Sequence, residues 1–391
     1  MTYDPLDPAT QANPFPAYAA LRREAPVAWL PAIQAWAISR YADVDWAIRN
    51  PQVFSSAEWI TQSLGDLKPV AEVPWMIEMD PPAHSRVRKL VSKAFTPRMV
   101  AQLEPRVRTL ARELLSEIRG HGEVDFVRAF SGVYPVIVIA EMLGVEPERR
   151  ADFRRWSDNI VAATNRPSDE AQRAAIRASN TAMLDYLDAA IADRRRHPRE
   201  DLLTALVRAE EEAQTLSARE VLAMAVLILV AGNETTMNLM GNTLVNLHPR
   251  PELTARVRRD PRLIPQLLEE VLRYDSPVQI VFRRTTQPVE MAGAAMPADA
   301  AVLVLLGSAN RDPEKFPDAD RFDPTRDASE HLAFGFGTHY CLGAQLARLE
   351  ARIAFEEIFA MAPSFTVDPS RSERVGSILL RGVRNLPFSF D

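Results

Sequence analysis

The one cysteine among the 391 residues, Cys341, lies in the stretch HLAFGFGTHYCLG, which begins at His331. A cysteine can be a small buried hydrophobic residue, a nucleophile or a metal ligand, and the last two roles need the thiolate. The run AQLARLEARIAFEEIF that follows has the period and composition of a helix. Cys341 is therefore predicted at or just before a helix N-terminus, where unpaired N–H groups and the helix dipole favour a thiolate. Three interpretations stay open: a buried side chain, a nucleophile paired with His339, and a thiolate bound to a metal.

The spacing Phe-x-x-Gly-x-x-x-Cys-x-Gly, from Phe334 to Gly343, is more demanding than a buried thiol or a nucleophile requires. Glycines let the backbone turn tightly and approach a flat, bulky group. The loop closely resembles the haem-binding loop of the cytochrome P450 family. This resemblance implies haem b (iron protoporphyrin IX) as cofactor, Cys341 as the proximal iron ligand, Phe334 beside the porphyrin and His339 near a haem propionate.

A second motif, LVAGNETT, lies inside a long apolar run. Gly232 costs a helix about 1 kcal/mol relative to alanine. The Thr235 hydroxyl can bond back to the carbonyl of Ala231 and bend the helix there. Taken alone, these residues also fit a helix with a tolerated glycine and core hydroxyls. The resemblance implies an oxygen-binding groove with two catalytic residues, Thr235 beside the reacting oxygen and Glu234 in proton delivery.

A third motif, EEVLRY, places Glu270 and Arg273 three residues apart on one face of a predicted helix. An exposed ion pair at this spacing contributes only tenths of a kcal/mol. The resemblance implies instead the family's buried Glu-x-x-Arg clamp behind the haem. Its expected role is structural, in folding and haem retention.

Besides His339, three basic side chains are candidates for binding the haem propionates. His84 and Arg88 are four residues apart in DPPAHSRVRKL and share a helix face, which by itself is typical of a solvated basic surface. The resemblance places both on a propionate, an acidic group that needs cationic donors. It places Arg283 on a propionate as well, and the spacing to the residues that follow favours Arg283 over Arg284.

The resemblance also assigns the substrate-binding positions, which form an apolar wall with one amide: Leu227, Val230, Ala231, Gln279, Ile280, Val281, Leu379 and Leu380. Such a wall fits a lipophilic small molecule such as a fatty acid, terpenoid, steroid or polyketide. The segment 55–75, SSAEWITQSLGDLKPVAEVPW, is predicted to form a mobile lid loop.

Helices must position most of these motifs. Apolar residues recur at helical spacing in TPRMVAQLEPRVRTLARELLSEI, EAQRAAIRASNTAMLDYLDAAIADRRR and PQLLEEVLRY, and the run from Ser217 through Leu247 starts with a capping-box pattern. VAWLPAIQAWAISR predicts a hairpin and VEMAGAAMPADAAVLVLLGSA a second strand pair. Since no composition break marks a linker, we predict a single domain over 1–391, mainly α with small β-sheets, and by resemblance the cytochrome P450 fold.

Composition excludes several other classes of protein. The net charge of -6 argues against a general nucleic-acid surface, and one cysteine excludes a disulfide framework and a multi-cysteine zinc site. The N-terminus lacks the pattern of a signal peptide. The most apolar stretch, VLAMAVLILVAG, is too short to span a bilayer comfortably. No membrane span and a cytoplasmic location are therefore expected.

The activity implied by the resemblance is that of a haem-thiolate monooxygenase, an oxidoreductase that inserts one oxygen atom from O2 into a lipophilic small molecule by hydroxylation or epoxidation. Electrons would come from NAD(P)H through a separate ferredoxin or flavodoxin donor. Basic residues near the cysteine either steer an acidic donor or form a solvated face: Lys89, Lys93, Arg98, Arg348 and Arg352. Two alternatives are a peroxide-using haem-thiolate hydroxylase and a non-catalytic haem-thiolate ligand-binding or sensor protein. The Glu234–Thr235 pair argues against both.

Overall fold

The computed structural model of the protein describes residues 3–164, 169–213, 216–362 and 364–390. The chain forms two compact units. The first comprises Met1–Ser55, Ala101–Ser131 and Thr235–Asp391, and the second comprises Ser56–Val100 and Gly132–Glu234. The single domain expected over 1–391 stays a prediction.

Helices make up most of the described chain, as predicted. In chain order they are α1 (Pro8–Ala12), α2 (Phe15–Glu24), α3 (Tyr41–Arg49), α4 (Trp59–Leu64), α5 (Ala83–Val91), α6 (Pro97–Ile118), α7 (Tyr134–Met142), α8 (Arg150–Thr164), α9 (Glu170–Arg196), α10 (Leu202–Ala213), α11 (Ala218–Leu247), α12 (Pro251–Arg259), α13 (Ile264–Tyr274), α14 (Leu306–Ala309) and α15 (Ala344–Met361). The helices predicted from periodicity correspond to α6, α9, α11, α13 and α15 and are confirmed.

The strands are short and, within the described residues, all belong to the first unit. They are β1 (Val27–Leu30), β2 (Ala35–Ile38), β3 (Phe54–Ser55), β4 (Glu123–Asp125), β5 (Val281–Thr285), β6 (Val289–Met291), β7 (Ala294–Met296), β8 (Ala301–Val304), β9 (Phe365–Val367) and β10 (Pro387–Phe390). The predicted hairpin is β1–β2, and the predicted second pair is β6–β7. Both are confirmed, although the second stretch also contains β8, which joins the larger sheet instead.

The main sheet of the first unit has the order β1-β2-β8-β5-β3. Strand β8 lies in its middle, parallel to β2 and antiparallel to β5. Val302 and Val304 pack into one hydrophobic cluster, while Leu303 and Leu305 pack into another. Since successive strand residues point to opposite faces, both faces of β8 are buried. This explains why its sequence is a continuous apolar run rather than an alternating one.

The longest helix, α11, begins with the predicted capping box. Ser217 Oγ accepts from the Glu220 N–H at 3.2 Å, and the Ser217 N–H donates to Glu220 Oε2 at 2.7 Å. Among the described residues, α11 alone is long and apolar enough to cross a membrane by length and composition, with 61% of its apolar window buried. Val221–Leu229 are all buried, which is typical of a core helix.

The segment 55–75 is more ordered than the predicted loop. It contains α4 and a short 3-10 turn, and its Lys68 forms an ion pair with Glu78, which follows the segment; the two side chains are 1% and 0% exposed. Glu78 also accepts from Thr61 Oγ1 and from the Trp75 N–H, both at 2.9 Å. The segment is therefore tied together by buried polar contacts, and its mobility stays a prediction.

Candidate active site

Cys341 lies at the end of a loop whose shape depends on glycines. Gly335 and Gly337 have φ of 67° and 66°, in the left-handed region that glycine adopts most easily. The Cys341 N–H donates to the Phe334 carbonyl at 2.9 Å, and α15 begins three residues later at Ala344. The Cys341 side chain is exposed, so the interpretation as a buried hydrophobic residue is wrong.

A network of charged and aromatic side chains braces this loop from behind. Arg348 of α15 donates to both carboxylate oxygens of Glu269 at 2.7 and 2.9 Å, and His331 Nε2 lies 3.1 Å from the same carboxylate. Arg348 also donates to the Tyr340 hydroxyl at 3.2 Å and lies over the Phe334 ring, 4.5 Å from its centroid. Burial opposes ionisation of Glu269, but hydrogen bonds from Arg348 and His331 outweigh it and lower the pKa of Glu269 to about 2.

The predicted clamp, Glu270 and Arg273, is completely buried, with both side chains 0% exposed. Two parallel hydrogen bonds of 2.7 Å join them. Arg273 also donates to the carbonyls of Asn310 and Ala319 at 2.8 and 2.9 Å. Asn310 Oδ1 in turn accepts from the Leu332 N–H at 2.6 Å. The clamp is therefore connected through Asn310 to the start of the cysteine loop.

Arg283 and Arg284 point to opposite sides of β5. The Arg284 guanidinium pairs with Asp299 at 2.5 Å on the solvent side. Arg283 is 8% exposed and donates to the Phe282 carbonyl at 2.7 Å. The structure thus places Arg283 inside the unit, as a propionate ligand requires, and Arg284 outside. His339, the other propionate candidate in this unit, ends the 3-10 turn Gly337–His339 beside Cys341.

In the second unit, Leu227, Val230, Ala231 and Glu234 share one face of α11, because they follow the helical spacing. Ala231 is exposed although the preceding turns, Val221–Leu229, are buried. An exposed alanine in the middle of an apolar helix indicates open space beside it. The oxygen-binding groove expected at this position stays a prediction.

Gly232 packs closely against a neighbouring helix. A Cβ at this position would lie 3.0 Å from Ile139 Cδ1 of α7. The helical assignment of α11 runs without a gap from Ala218 to Leu247, so no break separates Glu234 from Thr235. The bend expected at Thr235, which is half-buried, stays a prediction.

His84 and Arg88 lie on α5 and share one face, as predicted. His84 is 1% exposed, and Arg88 is half-buried. Burial, as the larger cause, and the charge of Arg88, as the second, lower the pKa of His84 to about 4. At neutral pH His84 is therefore an uncharged N–H donor, and Arg88 carries the positive charge.

The substrate-binding residues predicted in the first unit have two environments. The Gln279 N–H donates to the Leu379 carbonyl at 2.9 Å, and Val278 pairs with Leu380, so these segments lie side by side. Ile280 is 0% exposed and belongs to the hydrophobic core, and the Gln279 amide donates to a backbone carbonyl at 2.7 Å. Val281, Leu379 and Leu380 are half-buried and are better placed to meet a ligand.

The chemistry of these side chains fits a haem. In the described ranges, no group of three or more His, Cys, Asp or Glu side chains is arranged to hold a metal ion. Apart from its chain neighbours, no described residue comes within 4 Å of where a Cβ at Gly343 would stand, so there is open space two residues after the cysteine. Arg283 and Arg88 are suitable partners for carboxylates.

Comparison with known proteins agrees with this chemistry. The sequence model described as Cytochrome P450 matches residues 170–380. The Vitamin D(3) 25-hydroxylase of Pseudonocardia autotrophica is 41% identical over 384 residues, 96% of this chain and 93% of that protein. The chain belongs to the cytochrome P450 family.

Solved structures of cytochromes P450 extend the likeness to the whole fold. Cytochrome P450 CYP109Q5 from Chondromyces apiculatus has a TM-score of 0.91 and 42% identity, covering 99% of this chain and 98% of its own. CYP109E1 from Bacillus megaterium in complex with testosterone has a TM-score of 0.88 and 35% identity, covering 98% and 100%. The predicted cytochrome P450 fold is confirmed.

Family membership establishes the reaction class. The protein is a cytochrome P450 monooxygenase, an oxidoreductase of a family that uses a haem and O2 and needs redox partners.

The sequence motifs do not indicate which residues support the cysteine loop. Glu269 and Asn310 make the contacts described above, and the acidic pair in EEVLRY was the only local signal for the first of them. Arg348, predicted to steer an electron donor, is engaged with Glu269. Arg352 pairs with Glu104 at 2.7 Å and with Glu356 at 2.8 Å. Both arginines therefore have structural partners, and donor steering by the basic residues stays a prediction.

Proposed function

We propose that Cys341, as the thiolate, is the iron ligand of haem b in this cytochrome P450. The observation that carries the proposal is the exposed thiol of the only cysteine, at the end of a loop braced by Glu269 and Arg348. The bound haem would supply the oxygen-activating chemistry, which thiolate ligation favours. The chain supplies the ligand, the cations that bind the cofactor and the proton path.

Four residues are proposed to bind the propionates: His84, Arg88, Arg283 and His339. Arginine suits this task because its planar donors match a carboxylate and keep their charge at any working pH. The buried position of Arg283 supports its role as a charged partner. A propionate beside His84 would raise the His84 pKa from its low value in the chain alone. Phe334, stacked under Arg348, is proposed to form the floor of the cofactor site next to Cys341.

Glu234 and Thr235 are proposed to deliver protons during oxygen activation. A carboxyl group can release and take up a proton, and a hydroxyl can donate and accept at once. Thr235 would hold the water that carries the proton, and Glu234 would exchange protons with solvent. Their adjacent positions on α11, after the exposed Ala231, support this assignment.

The substrate is proposed to be a rigid, largely apolar molecule of steroid or secosteroid size. Support comes from the relative named for vitamin D3 and from the similar structure that contains testosterone. The half-buried apolar side chains of Val230, Val281, Leu379 and Leu380 suit such a ligand. Electrons are proposed to come from NAD(P)H through a ferredoxin or flavodoxin in the cytoplasm.

The test of the iron ligand is the carbon-monoxide difference spectrum of the reduced protein. Wild type should show the red-shifted Soret band of thiolate-ligated haem, and Cys341→Ser should lose it while a blue-shifted band remains. An unchanged band in Cys341→Ser would overturn the assignment.

The substrate class is tested separately, by adding testosterone, vitamin D3 and a long-chain fatty acid and following the Soret band. Shifts of the Soret band at low concentrations of testosterone and vitamin D3, followed by substrate-dependent O2 consumption with a surrogate ferredoxin system, would support the proposed substrate class. A shift with the fatty acid alone would contradict it. Product formed only with added hydrogen peroxide would identify a peroxide-using hydroxylase instead.

A further inference from the structure

Two helices of the second unit are joined by a buried hydrogen bond just before Glu234. Asn233 Nδ2 of α11 donates to Ser157 Oγ of α8 at 2.9 Å. Ser157 is 0% and Asn233 is 4% exposed. Because Asn233 precedes Glu234 in the same helical turn, this bond fixes the rotation of the turn that carries the carboxyl group.

The same turn is held from a second direction. Gly232 lies against Ile139 of α7, close enough that a Cβ at 232 would stand 3.0 Å from the Ile139 side chain. Helix α8 contacts α7, α9 and also α4, which belongs to the segment 55–75. A shift of α8 therefore reaches the turn at 232–234 in two ways. It acts directly through the hydrogen bond between Ser157 and Asn233, and indirectly through α7, whose Ile139 lies against Gly232.

Stability alone does not account for asparagine at this position. A polar side chain buried in a helix interface is unfavourable unless all its groups are bonded. Asn233 Oδ1 is buried and has no hydrogen-bond partner among the residues that the structure describes. An apolar side chain of similar size would avoid this disadvantage and could still fill the space. What the apolar side chain would lack is a directional bond to Ser157.

We propose that Asn233 is a positioning residue: through Ser157 it holds the turn of α11 that bears Glu234 in the orientation that proton delivery requires. The inference rests on the proposed roles of Glu234 and Thr235. When the bond is lost, the turn can rotate and the carboxyl group no longer delivers its proton in step with oxygen activation. Two electrons from NAD(P)H and two protons then reduce O2 to hydrogen peroxide, instead of giving hydroxylated substrate and water.

A matched pair of serine variants tests this. Ser157→Ala removes the partner of Asn233 without changing α11. Ser179→Ala is the control, because Asn159 Nδ2 of the same helix α8 donates to Ser179 Oγ of α9 at 2.8 Å. Each variant removes a hydrogen bond from an asparagine amide to a serine hydroxyl, and each of these bonds involves one residue of α8. Only the first bond reaches the turn of Glu234.

For Ser157→Ala holoenzyme we expect product per NAD(P)H oxidised to fall about three- to tenfold, the size of effect of one neutral hydrogen bond. Hydrogen peroxide should rise to match. Ser179→Ala should keep wild-type coupling with a similar shift in melting temperature. Hydrogen–deuterium exchange of the resting holoenzyme, which does not depend on turnover, should increase over 231–236 in Ser157→Ala alone. Ser157→Thr, which keeps the hydroxyl, should recover most of the coupling.

The outcomes separate this inference from the proposed function. If Thr235→Ala is uncoupled but Ser157→Ala is as well coupled as Ser179→Ala, the positioning role is overturned and the proton path stands. Unchanged exchange over 231–236 in Ser157→Ala overturns it as well. If Thr235→Ala and Glu234→Gln both keep wild-type coupling, the proton path itself is wrong, and the positioning role is overturned with it.

Discussion

Neighbouring side chains of the same type make different contacts in this chain. Glu269 binds Arg348 and faces the cysteine loop, whereas Glu270 binds Arg273 and is fully buried. Arg283 points inward, while Arg284 meets Asp299 at the surface. A one-residue step changes the face of a strand completely and rotates a helix by about 100°. The function of each residue therefore depends on its register rather than its type.

Replacing Thr235 by alanine should separate oxygen consumption from product formation. Without the hydroxyl, the delivering water loses a donor and acceptor next to the reacting oxygen. We expect product per NAD(P)H to fall by about tenfold or more, with hydrogen peroxide released in place of product. The carbon-monoxide spectrum should stay as in wild type, because the iron ligand is untouched. Equal coupling in wild type and Thr235→Ala would remove Thr235 from the mechanism.

Glu269→Gln should destabilise the cysteine loop in a pH-dependent way. The folded pKa of Glu269, about 2, lies below the ordinary value of 4.5, so the unfolded chain binds more protons between these two pH values. The stabilisation is therefore present above pH 4.5 and is lost as the pH falls toward 2. In urea unfolding at neutral pH, the free energy of unfolding of wild type should exceed that of Glu269→Gln by about 3 kcal/mol. The difference should shrink below about pH 4.5, and a constant difference would contradict this account.

At the scale of elements, α13 connects the parts of the first unit that surround the cysteine loop. Glu269 reaches α15 through Arg348, and Arg273 reaches the carbonyl of Asn310. Asn310 Oδ1 then accepts from the N–H of Leu332, near the start of the cysteine stretch. The hydrogen bonds made by Glu269 and Arg273 involve charged groups and are stronger than neutral ones. Helix α13 is thus tied both to α15 and, through Asn310, to the segment that leads into the cysteine loop.

Glu270→Ala should lower stability and haem content. The substitution leaves the Arg273 guanidinium buried without its carboxylate, at a cost of about 3–5 kcal/mol. Thermal unfolding and the haem-to-protein absorbance ratio measure both effects. The matched control is Glu113→Ala, since the pair that Glu113 forms with Arg106 at 3.5 Å is about half exposed. That variant should change stability by less than about 1 kcal/mol. Equal behaviour of the two variants would show that the clamp is an ordinary surface ion pair.

At the scale of the whole molecule, the likeness to solved cytochromes P450 extends over 99% of the chain. A cofactor that binds only the native protein stabilises all of it, by about 4 kcal/mol when the ligand concentration is a thousandfold above Kd. Haem is proposed to bind this chain through Cys341 and the basic side chains that hold the propionates. Removal of the haem should therefore lower the stability of the whole fold rather than that of one loop.

Removal of the haem should therefore lower the melting temperature of the protein. Arg283→Ala should narrow the difference between holoprotein and apoprotein, because it weakens haem binding in the folded state. Arg284→Ala should leave the difference at the wild-type value, since Arg284 points to solvent. Differential scanning calorimetry of the six samples makes the comparison. An equal effect of both substitutions would exclude Arg283 as a propionate ligand.

The sequence alone was enough to predict helices α6, α9, α11, α13 and α15 and, through its resemblance to a family, the reaction class. Helical periodicity is a local property, and α6, α9 and α15 begin within about one residue of their predicted starts. The cysteine loop and the Glu-x-x-Arg pair are short motifs whose spacing is readable without any long-range contact. The capping box of α11 is local in the same sense, and it was predicted from Ser217 onward.

Only the tertiary structure decided which side chains support these motifs. Glu269 and Arg348 are 79 residues apart, and Ser157 and Asn233 are 76 apart, so no local pattern connects them. The same holds for Ile280, which the apolar pattern of its segment could not distinguish from a pocket residue but which the sheet buries. Periodicity shows that a side chain is buried. What it is buried against depends on how distant segments pack, and packing is decided by the fold as a whole.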